Sequence, residues 1–398
     1  MNILAINVGS SNVKFATFVD GRHESETSGM AAPRGTSGEI DITLRCGGEV
    51  QKTTIAAVEN LAAATIRFLS EPQSLISQQI KSVDAVGQRV VHGGTRFTTS
   101  VRIDASVKAE TARLSELAPL HNPLALNSIE AIETHMPGVP QVAVFDTAYF
   151  AQLPANANIY ALPYEWYSKF GIRRFGFHGI SHSYCAQRAA EILAPTGKPL
   201  RIVTCHLGSG CSISAIKNGL PVATSMGFTP LDGIVMGTRS GSIDPGIILY
   251  LQRHKNITIA EIGDALNHRS GLRGISGVSA DYREVERASS QGNPRARLAL
   301  EIFANSVRNA IGASAVALGG MDALVFTGGI GEHATTLRNT VCEALQCLGV
   351  TLDLTKNAAI EGDSNISAAG SAVKVLVIET REELMIARET ARVIALPE

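Results

Sequence analysis

Neither sign of charge prevails in this 398-residue sequence: 35 lysines and arginines meet 36 aspartates and glutamates, a formal net charge of -1. That balance excludes a general nucleic-acid or membrane-surface binder, which would need a broad basic face. Any anionic ligand must then be held by a few local cations. Six cysteines (Cys46, Cys185, Cys205, Cys211, Cys342 and Cys347) include no Cys-x-x-Cys pair, so they read as buried or free thiols of a reducing compartment. No long apolar run is present. The longest apolar-looking stretch, near 311–331, carries Asp322 and many Gly and Ala residues, and reads as a buried helix, a Gly-Gly break and a strand. No basic segment precedes the first apolar run, so no signal peptide is visible and a cytoplasmic protein is expected. The familiar phosphate and nucleophile motifs are missing as well. There is no Gly-x-x-x-x-Gly-Lys-Ser/Thr, no Gly-x-Gly-x-x-Gly and no Gly-x-Ser-x-Gly.

What is present is a chain rich enough in apolar residues, 45%, to build two domains with substantial cores. Short apolar runs read as strands at Ile3–Ile6, Ala85–Val86, Val142–Phe145, Ile202–Cys205 and Leu324–Phe326. Leu300, Phe303, Val307, Ile311, Ala315 and Leu318 keep the three- and four-residue steps of a buried helix face. Strands alternating with helices predict an α/β protein. "LAINVGSSNVKFATFVDG" and "VTCHLGSGCSISAIKNG" each run strand, Gly-Ser turn, strand, Asp-Gly or Asn-Gly turn, about half the chain apart, which points to two related halves. Near the C-terminus, Thr380 to Glu383 fits a capping box, giving Glu383 a structural role and leaving Glu382 for another task.

Glycine clusters are the strongest chemical signal. "HLGSG" (206–210), "MGTRSGS" (236–242) and "FTGGIGE" (326–332) join the Gly-Ser-Ser-Asn tip of "INVGSSNVKF" as loops whose backbone N–H groups can approach phosphate oxygens. Arg89 in "AVGQRVVHGG" and Arg239 in "GTRSG" sit among glycines, where a guanidinium can grip a carboxylate or phosphate in a bidentate fork. Asp146 ends the strand "QVAVFDT", an edge position suited to catalysis or to capping a turn. His178 and His182 in "FGFHGISH" have the spacing of a helical metal pair, but no His-Glu-x-x-His supports it, and one functional histidine is the better reading. His121 and His206 default to structural hydrogen bonding.

Taken together, "INVGSSNVKF", "RVVHGG", "LAPLHNP", "FDTA", "RRFGFHGISH", "HLGSGCSI", "TSMGFTPLDGIVMGTRSGSIDPG", "SGLRGISGVSADYRE", "ALVFTGGIGEHA" and "EELMIARET" resemble the acetate kinase family, in family order from residue 3 to residue 391. The resemblance implies two related RNase H-like domains of the acetate and sugar kinase/Hsp70/actin superfamily, with an interdomain cleft. Their boundaries would be 1–148 plus 384–398, and 149–383, the second binding nucleotide and forming a homodimer. It implies the reaction of ATP and acetate to give ADP and acetyl phosphate, with Mg²⁺ as cofactor and Mn²⁺ able to substitute, and no nucleic-acid or membrane partner. By motif position it gives Asp146, His178 and Arg239 as catalytic, and Arg89, Val91, Leu120, Phe177 and Pro230 as substrate-binding. Asn7 and Glu382 become the metal pair, and Lys14 a nucleotide-phosphate contact. The loops His206, Leu207, Gly208, Ser209 and Gly210, then Asp281, Tyr282 and Arg283, then Gly329, Ile330, Gly331, Glu332 and His333 line the nucleotide.

A carboxylate is already a nucleophile, so such a kinase needs no strong base. Its problem is repulsion between two anions, which arginines, a metal ion and a hydrogen-bonding histidine relieve. Asp146 is therefore expected to orient Arg89 or metal-bound water. Several residues depart from the family pattern: Asn12, Gln88, Phe150, Ser209, Tyr282 and His333, the last three in nucleotide-lining loops. The alternatives are a propionate or butyrate kinase, a pyrophosphate-using relative, and, outside enzymes, a non-catalytic nucleotide-dependent switch.

Overall fold

The computed structural model describes all residues except 10–11, 20–23, 36, 58, 195–198 and 397–398. The serines of the Gly-Ser-Ser-Asn tip thus lie outside the described residues. The chain divides into two compact units, Met1–Ala151 with Arg381–Glu398, and Gln152–Thr380.

The first unit is built on an eight-stranded sheet: β1 (Asn2–Val8), β2 (Val13–Val19), β3 (Thr27–Pro33), β4 (Glu39–Cys46), β5 (Glu49–Ala56), β6 (Ala85–Val90), β7 (Val101–Arg102) and β8 (Gln141–Phe145), in the order β5-β4-β3-β2-β1-β6-β8-β7. β1 runs antiparallel to β2 and parallel to β6, which is parallel to β8. β1, β6 and β8 are buried almost throughout, which is why they read as unbroken apolar runs. β4 alternates buried and exposed residues, one face packed and one wet. Helices Leu61–Ser70 and Asn122–His135 pack together over the sheet, around a core that includes Phe15, Ile42, Ile66, Phe68 and Ile132.

Helix Glu382–Ile394 packs on β1, β6 and β8. It comes close because β6 carries Gly87: a Cβ there would lie 2.2 Å from Thr390 Oγ1 and 2.6 Å from Ile386 Cγ2. This contact sets the helix's first turn beside the ends of β1 and β6. The expected capping box is not formed. The helix N-cap is Arg381, with no side-chain cap. The Thr380 N–H donates instead to Glu332 Oε1 at 3.0 Å, and Glu383 accepts from Asn7. Both ends of the motif have stronger partners elsewhere.

The second unit carries β9 (Arg201–Leu207), β10 (Cys211–Lys217), β11 (Leu220–Thr224), β12 (Ala323–Thr327), β13 (Ser364–Asn365) and β14 (Lys374–Val377), ordered β11-β10-β9-β12-β14-β13. β9 is antiparallel to β10 and parallel to β12, and β12 is parallel to β14. The five-strand pattern β3-β2-β1-β6-β8 is therefore repeated as β11-β10-β9-β12-β14. The faint repeat in the sequence is a repeat of topology. Helix Pro294–Ala317 buries Phe303, Val307, Ile311 and Ala315, following the 3.6-residue pattern. Gly319 and Gly320, both at positive φ, end the apolar stretch before β12.

Candidate functional site

The strand register of the first unit sets one group of side chains. Asn7, near the end of β1, faces Lys14 across the hairpin, and Arg89 is near the end of the neighbouring β6. Asp146 follows directly on β8, and is wholly buried. The Arg89 guanidinium joins these strands. Nη2 and Nε donate to Asp146 Oδ2 at 2.6 and 3.1 Å, and Nη1 donates to Asn7 Oδ1 at 2.9 Å. The Asn7 amide nitrogen donates to Glu382 Oε2 at 2.8 Å and Glu383 Oε1 at 2.9 Å. Burial alone would pull the Arg89 pKa down, but the charges of Asp146, Glu382 and Glu383 more than offset it, and the guanidinium is held protonated. Lys14 is half-buried and has no acidic partner among the described residues.

Two further positions approach through the backbone. Asn122 accepts from the His92 N–H and donates to its carbonyl, both at 3.1 Å, drawing the chain at Val91 against that at Leu120. Val91 is buried and Leu120 exposed. The departures at Gln88 and Phe150 are absorbed in the core. Gln88 donates to Gln141 at 2.9 Å and accepts from Ser128 at 2.8 Å, while Phe150 is fully buried against Tyr149.

The second unit assembles another group. His178 is the N-cap of helix Gly179–Leu193, in the left-handed region at φ 57°. Its ring stacks on His206 with centroids 4.3 Å apart, and its Nδ1 lies 2.8 Å from Ser212 Oγ. His206 pairs with Ser212 across β9 and β10, and its Nδ1 lies 2.8 Å from Ser181 Oγ. The helical metal-pair spacing of His178 and His182 has another use: both rings turn to Ser212, His182 through Nε2 at 2.7 Å. Among the described residues no group of three or more His, Cys, Asp or Glu side chains is placed to hold a metal ion.

Arg239 sits in a loop pinned from several sides. Ser240 N–H donates to Leu266 O at 3.0 Å, Ser270 N–H to Thr238 O at 2.9 Å, and Gly237 N–H to Ser209 O at 3.2 Å. Its Nη1 donates to the Pro230 carbonyl at 2.6 Å. Unlike Arg89, it has no acidic partner among the described residues, and burial pulls its pKa below the usual arginine value. A desolvated guanidinium without a counter-charge is a ready anion site. It converges with His178 on Gly210: a Cβ there would lie 2.7 Å from Arg239 Nη2 and 3.2 Å from His178 Nε2. The absent side chain lets both groups come close to the backbone and to each other.

The remaining predicted loops belong to the same unit. Phe177, next to His178 in sequence, and Leu207 are buried, and Pro230 is half-buried. Helix Gly328–His333 packs on β9, with Glu332 Oε1 accepting from the Gly328 N–H at 2.9 Å. This carboxylate fastens the loop. Asp281 caps helix Tyr282–Ser290 and pairs with the exposed Arg283 at 2.6 Å. The Tyr282 ring is buried against Phe303, and burial pushes its phenol pKa up. The departure at Tyr282 therefore falls in the core.

Comparison with known proteins places these features in a family. A model described as the acetokinase family matches residues 2–388. The chain belongs to the acetokinase family. It is 45% identical over 398 residues to the acetate kinase of Rippkaea orientalis, covering 98% of each chain. It is 46% identical over 402 residues to that of Dictyoglomus turgidum, covering 99% of this chain and 98% of the other. Among solved structures, Porphyromonas gingivalis acetate kinase superposes with a TM-score of 0.87 at 40% identity, over 99% of each chain. A propionate kinase from Francisella tularensis gives 0.89 at 38% identity, over 98% of this chain and 99% of that one. The two-domain α/β fold is that of the acetokinase family.

Within this acetokinase fold, sequence reasoning overlooked four contributors. Glu383 reads in the sequence as the end of a capping box. Thr204 and Ser212 are strand residues of a kind that usually passes for core polarity. Arg338 lies in a helix, buried, and donates to the carbonyls of Gly331 and Glu332 at 2.8 and 2.9 Å, holding the 328–333 segment from behind. For Arg338 the one available signal was an arginine on an otherwise buried face, four residues before Cys342.

Proposed function

We propose that the protein transfers a phosphoryl group reversibly between ATP and acetate, forming ADP and acetyl phosphate by direct attack of the carboxylate. The observation that carries this reading is Arg239: a half-buried guanidinium with no acidic partner among the described residues, brought together with His178 against the bare backbone of Gly210. Kinship with the acetokinase family supplies the acceptor, a carboxylate. Arg239 and His178 meet the equatorial oxygens of the transferring phosphoryl group, where charge must be spread. Asp146 binds Arg89 with one oxygen and orients it. A wholly buried carboxylate occupied in this way is a poor base, and acetate needs none. Val91, Leu120, Phe177 and Pro230 contact the methyl group, while Lys14 and the loops 206–210, 281–283 and 329–333 hold the nucleotide.

The Glu382 and Glu383 carboxylates, with the Asn7 amide donating to both, offer hard oxygen atoms that fit Mg²⁺ or Mn²⁺. Two carboxylates with water and phosphate completing the shell is a common arrangement for Mg²⁺. The pair expected from the sequence, Asn7 and Glu382, is revised here: Glu382 and Glu383 would hold the ion, and Asn7, whose Oδ1 already accepts from Arg89, would fix their orientation. When bound, the ion neutralises charge on the nucleotide phosphates.

A homodimer is supported by helix Pro245–His254, which buries no residue and exposes Ile247, Leu249 and Tyr250. No helix among the described residues is long and apolar enough to cross a membrane. Cysteines that are all free accord with a cytoplasmic location. The reading is tested by trapping acyl phosphate with hydroxylamine, pairing acetate, propionate and butyrate each with ATP and with pyrophosphate. Acetate with ATP is expected to give the highest kcat/KM. A small apolar pocket separates acids differing by one methylene by only about 1–3 kcal/mol, so propionate should react more slowly rather than not at all. Highest activity with pyrophosphate would overturn the assignment of the donor.

A further inference from the structure

Behind His178 lies a chain of short hydrogen bonds. His178 Nδ1 is 2.8 Å from Ser212 Oγ, Ser212 Oγ is 2.7 Å from His182 Nε2, and His182 Nδ1 is 2.7 Å from Thr204 Oγ1. Thr204, His182 and Ser212 are completely buried. The chain runs from β9 through helix Gly179–Leu193 to β10, and ends at the histidine beside Arg239.

The order of protons along it follows from counting. A serine or threonine hydroxyl has one proton, and a neutral imidazole has one N–H and one acceptor nitrogen. Among the described residues Ser212 Oγ meets the two rings alone, so its proton goes either to His178 or to His182. If it went to His182 Nε2, the His182 proton would sit on Nδ1 and be donated to Thr204. Among the described residues the Thr204 proton would then have only the Ser214 carbonyl, 3.5 Å away, beyond the usual O–H···O range of about 2.5–3.0 Å. A buried donor so poorly satisfied is disfavoured. In the opposite order every buried proton has an acceptor within 2.8 Å: Thr204 to His182 Nδ1, His182 Nε2 to Ser212, and Ser212 to His178 Nδ1.

We propose that Thr204, His182 and Ser212 are positioning residues whose one-way hydrogen-bond chain fixes His178 as a neutral imidazole carrying its proton on Nε2. Burial keeps His182 neutral, pulling its pKa well below the ordinary 6.5, with His206 adding to the effect. Nε2 is the His178 nitrogen that, with the Arg239 guanidinium, lies against Gly210. A neutral donor there adds no second full positive charge beside Arg239. His178 can then offer a hydrogen bond to a phosphoryl oxygen without having to be charged first.

The tautomer is read directly by nitrogen-15 NMR of the whole protein labelled at histidine, at a pH where histidine is ordinarily neutral, with His178 assigned from its loss in His178→Ala. The wild type is expected to show a protonated Nε2 and a bare Nδ1. Ser212→Ala and Thr204→Val should each disturb that state, and Thr204→Ser should restore it. Kinetics supply the second arm, which alone rests on the phosphoryl-transfer reading. Ser212→Ala should lower kcat by about 10-fold or more, less than the 10²–10³-fold cost of losing an oxyanion-hole donor itself. KM values should stay within about twofold, since an interaction felt in the transition state is what is lost. A wild-type His178 protonated on Nδ1 or on both nitrogens overturns the proposal, as does a Ser212→Ala protein with wild-type tautomer or wild-type kcat. Absence of turnover in the wild type would instead refute the phosphoryl-transfer reading, leaving the tautomer result to stand alone.

Discussion

Substituting Gly210 by alanine offers a sharp separation of site from fold. Gly210 is not at positive φ, so an alanine backbone is tolerated there. The new methyl group would lie 2.7 Å from Arg239 Nη2, 3.2 Å from His178 Nε2 and 3.3 Å from His178 Cε1. Ordinary carbon contacts begin near about 3.5 Å, so the end of the arginine must retreat by roughly 0.8 Å and the imidazole by roughly 0.3 Å. Arg239 can retreat, because Nη2 ends a flexible side chain and the displacement costs little stability. The expected loss in Tm is only a few degrees, corresponding to about 1 kcal/mol or less. Catalysis does not share that tolerance. Misplacing a catalytic group by about 1 Å can cost roughly 10²-fold in rate, and here two groups are displaced from one space. Gly210→Ala is therefore expected to lower kcat for acetyl phosphate formation by about 10²-fold, with a smaller change in KM for ATP. Hydroxylamine trapping gives the rate, and a thermal melt gives the stability. A variant that melts as the wild type does and keeps its kcat would refute the claim that Arg239 and His178 act at this point.

Other expectations follow from the same geometry. Arg239→Ala should cost about 10³–10⁵-fold in turnover, as loss of a positioned arginine does in phosphoryl transfer, with no loss of Tm because it removes a desolvated charge lacking an acidic partner; retention of more than about a tenth of the wild-type rate would contradict this. Arg338→Met should strip donors from the carbonyls of Gly331, Glu332 and Asn357, and lower stability by about 2–4 kcal/mol in denaturant unfolding. His182 is neutral in the fold but binds a proton once unfolded below its ordinary value of 6.5, so stability should fall as pH drops below that value. The decline, at most about 1.4 kcal/mol per pH unit from this one group, should be shallower in His182→Gln, and a slope unchanged by the substitution would remove His182 as its cause.

The sequence was most legible where a pattern repeats or a run is unbroken. The buried strands β1, β6, β8, β9 and β12 read directly as apolar segments, since both their faces are covered. The hairpin repeat carried the duplicated topology because the Gly-Ser turn and its flanking strands survive in both halves. What stayed hidden depended on distance in sequence. Asn7 meets Glu382 and Glu383 across 375 and 376 residues, so no local pattern could reveal that Glu383 serves Asn7 and not a capping box. Thr204, Ser212 and His182 each look like ordinary polar residues in a buried element. Only the register of β9 with β10, and the left-handed turn at His178, bring their polar atoms into one line. Gly210 reads in the sequence as part of a phosphate loop, but its close approach to Arg239 and His178 belongs to three dimensions.

The central claim, phosphoryl transfer between ATP and acetate, is tested most directly by following phosphorus-31 NMR of the protein with Mg²⁺, ATP and acetate. The γ-phosphate signal should decline as an acyl phosphate signal and ADP grow together, with no change when acetate is omitted. ATP that remains intact in the presence of acetate, although the protein binds it, would contradict the claim and leave a nucleotide-binding switch in its place.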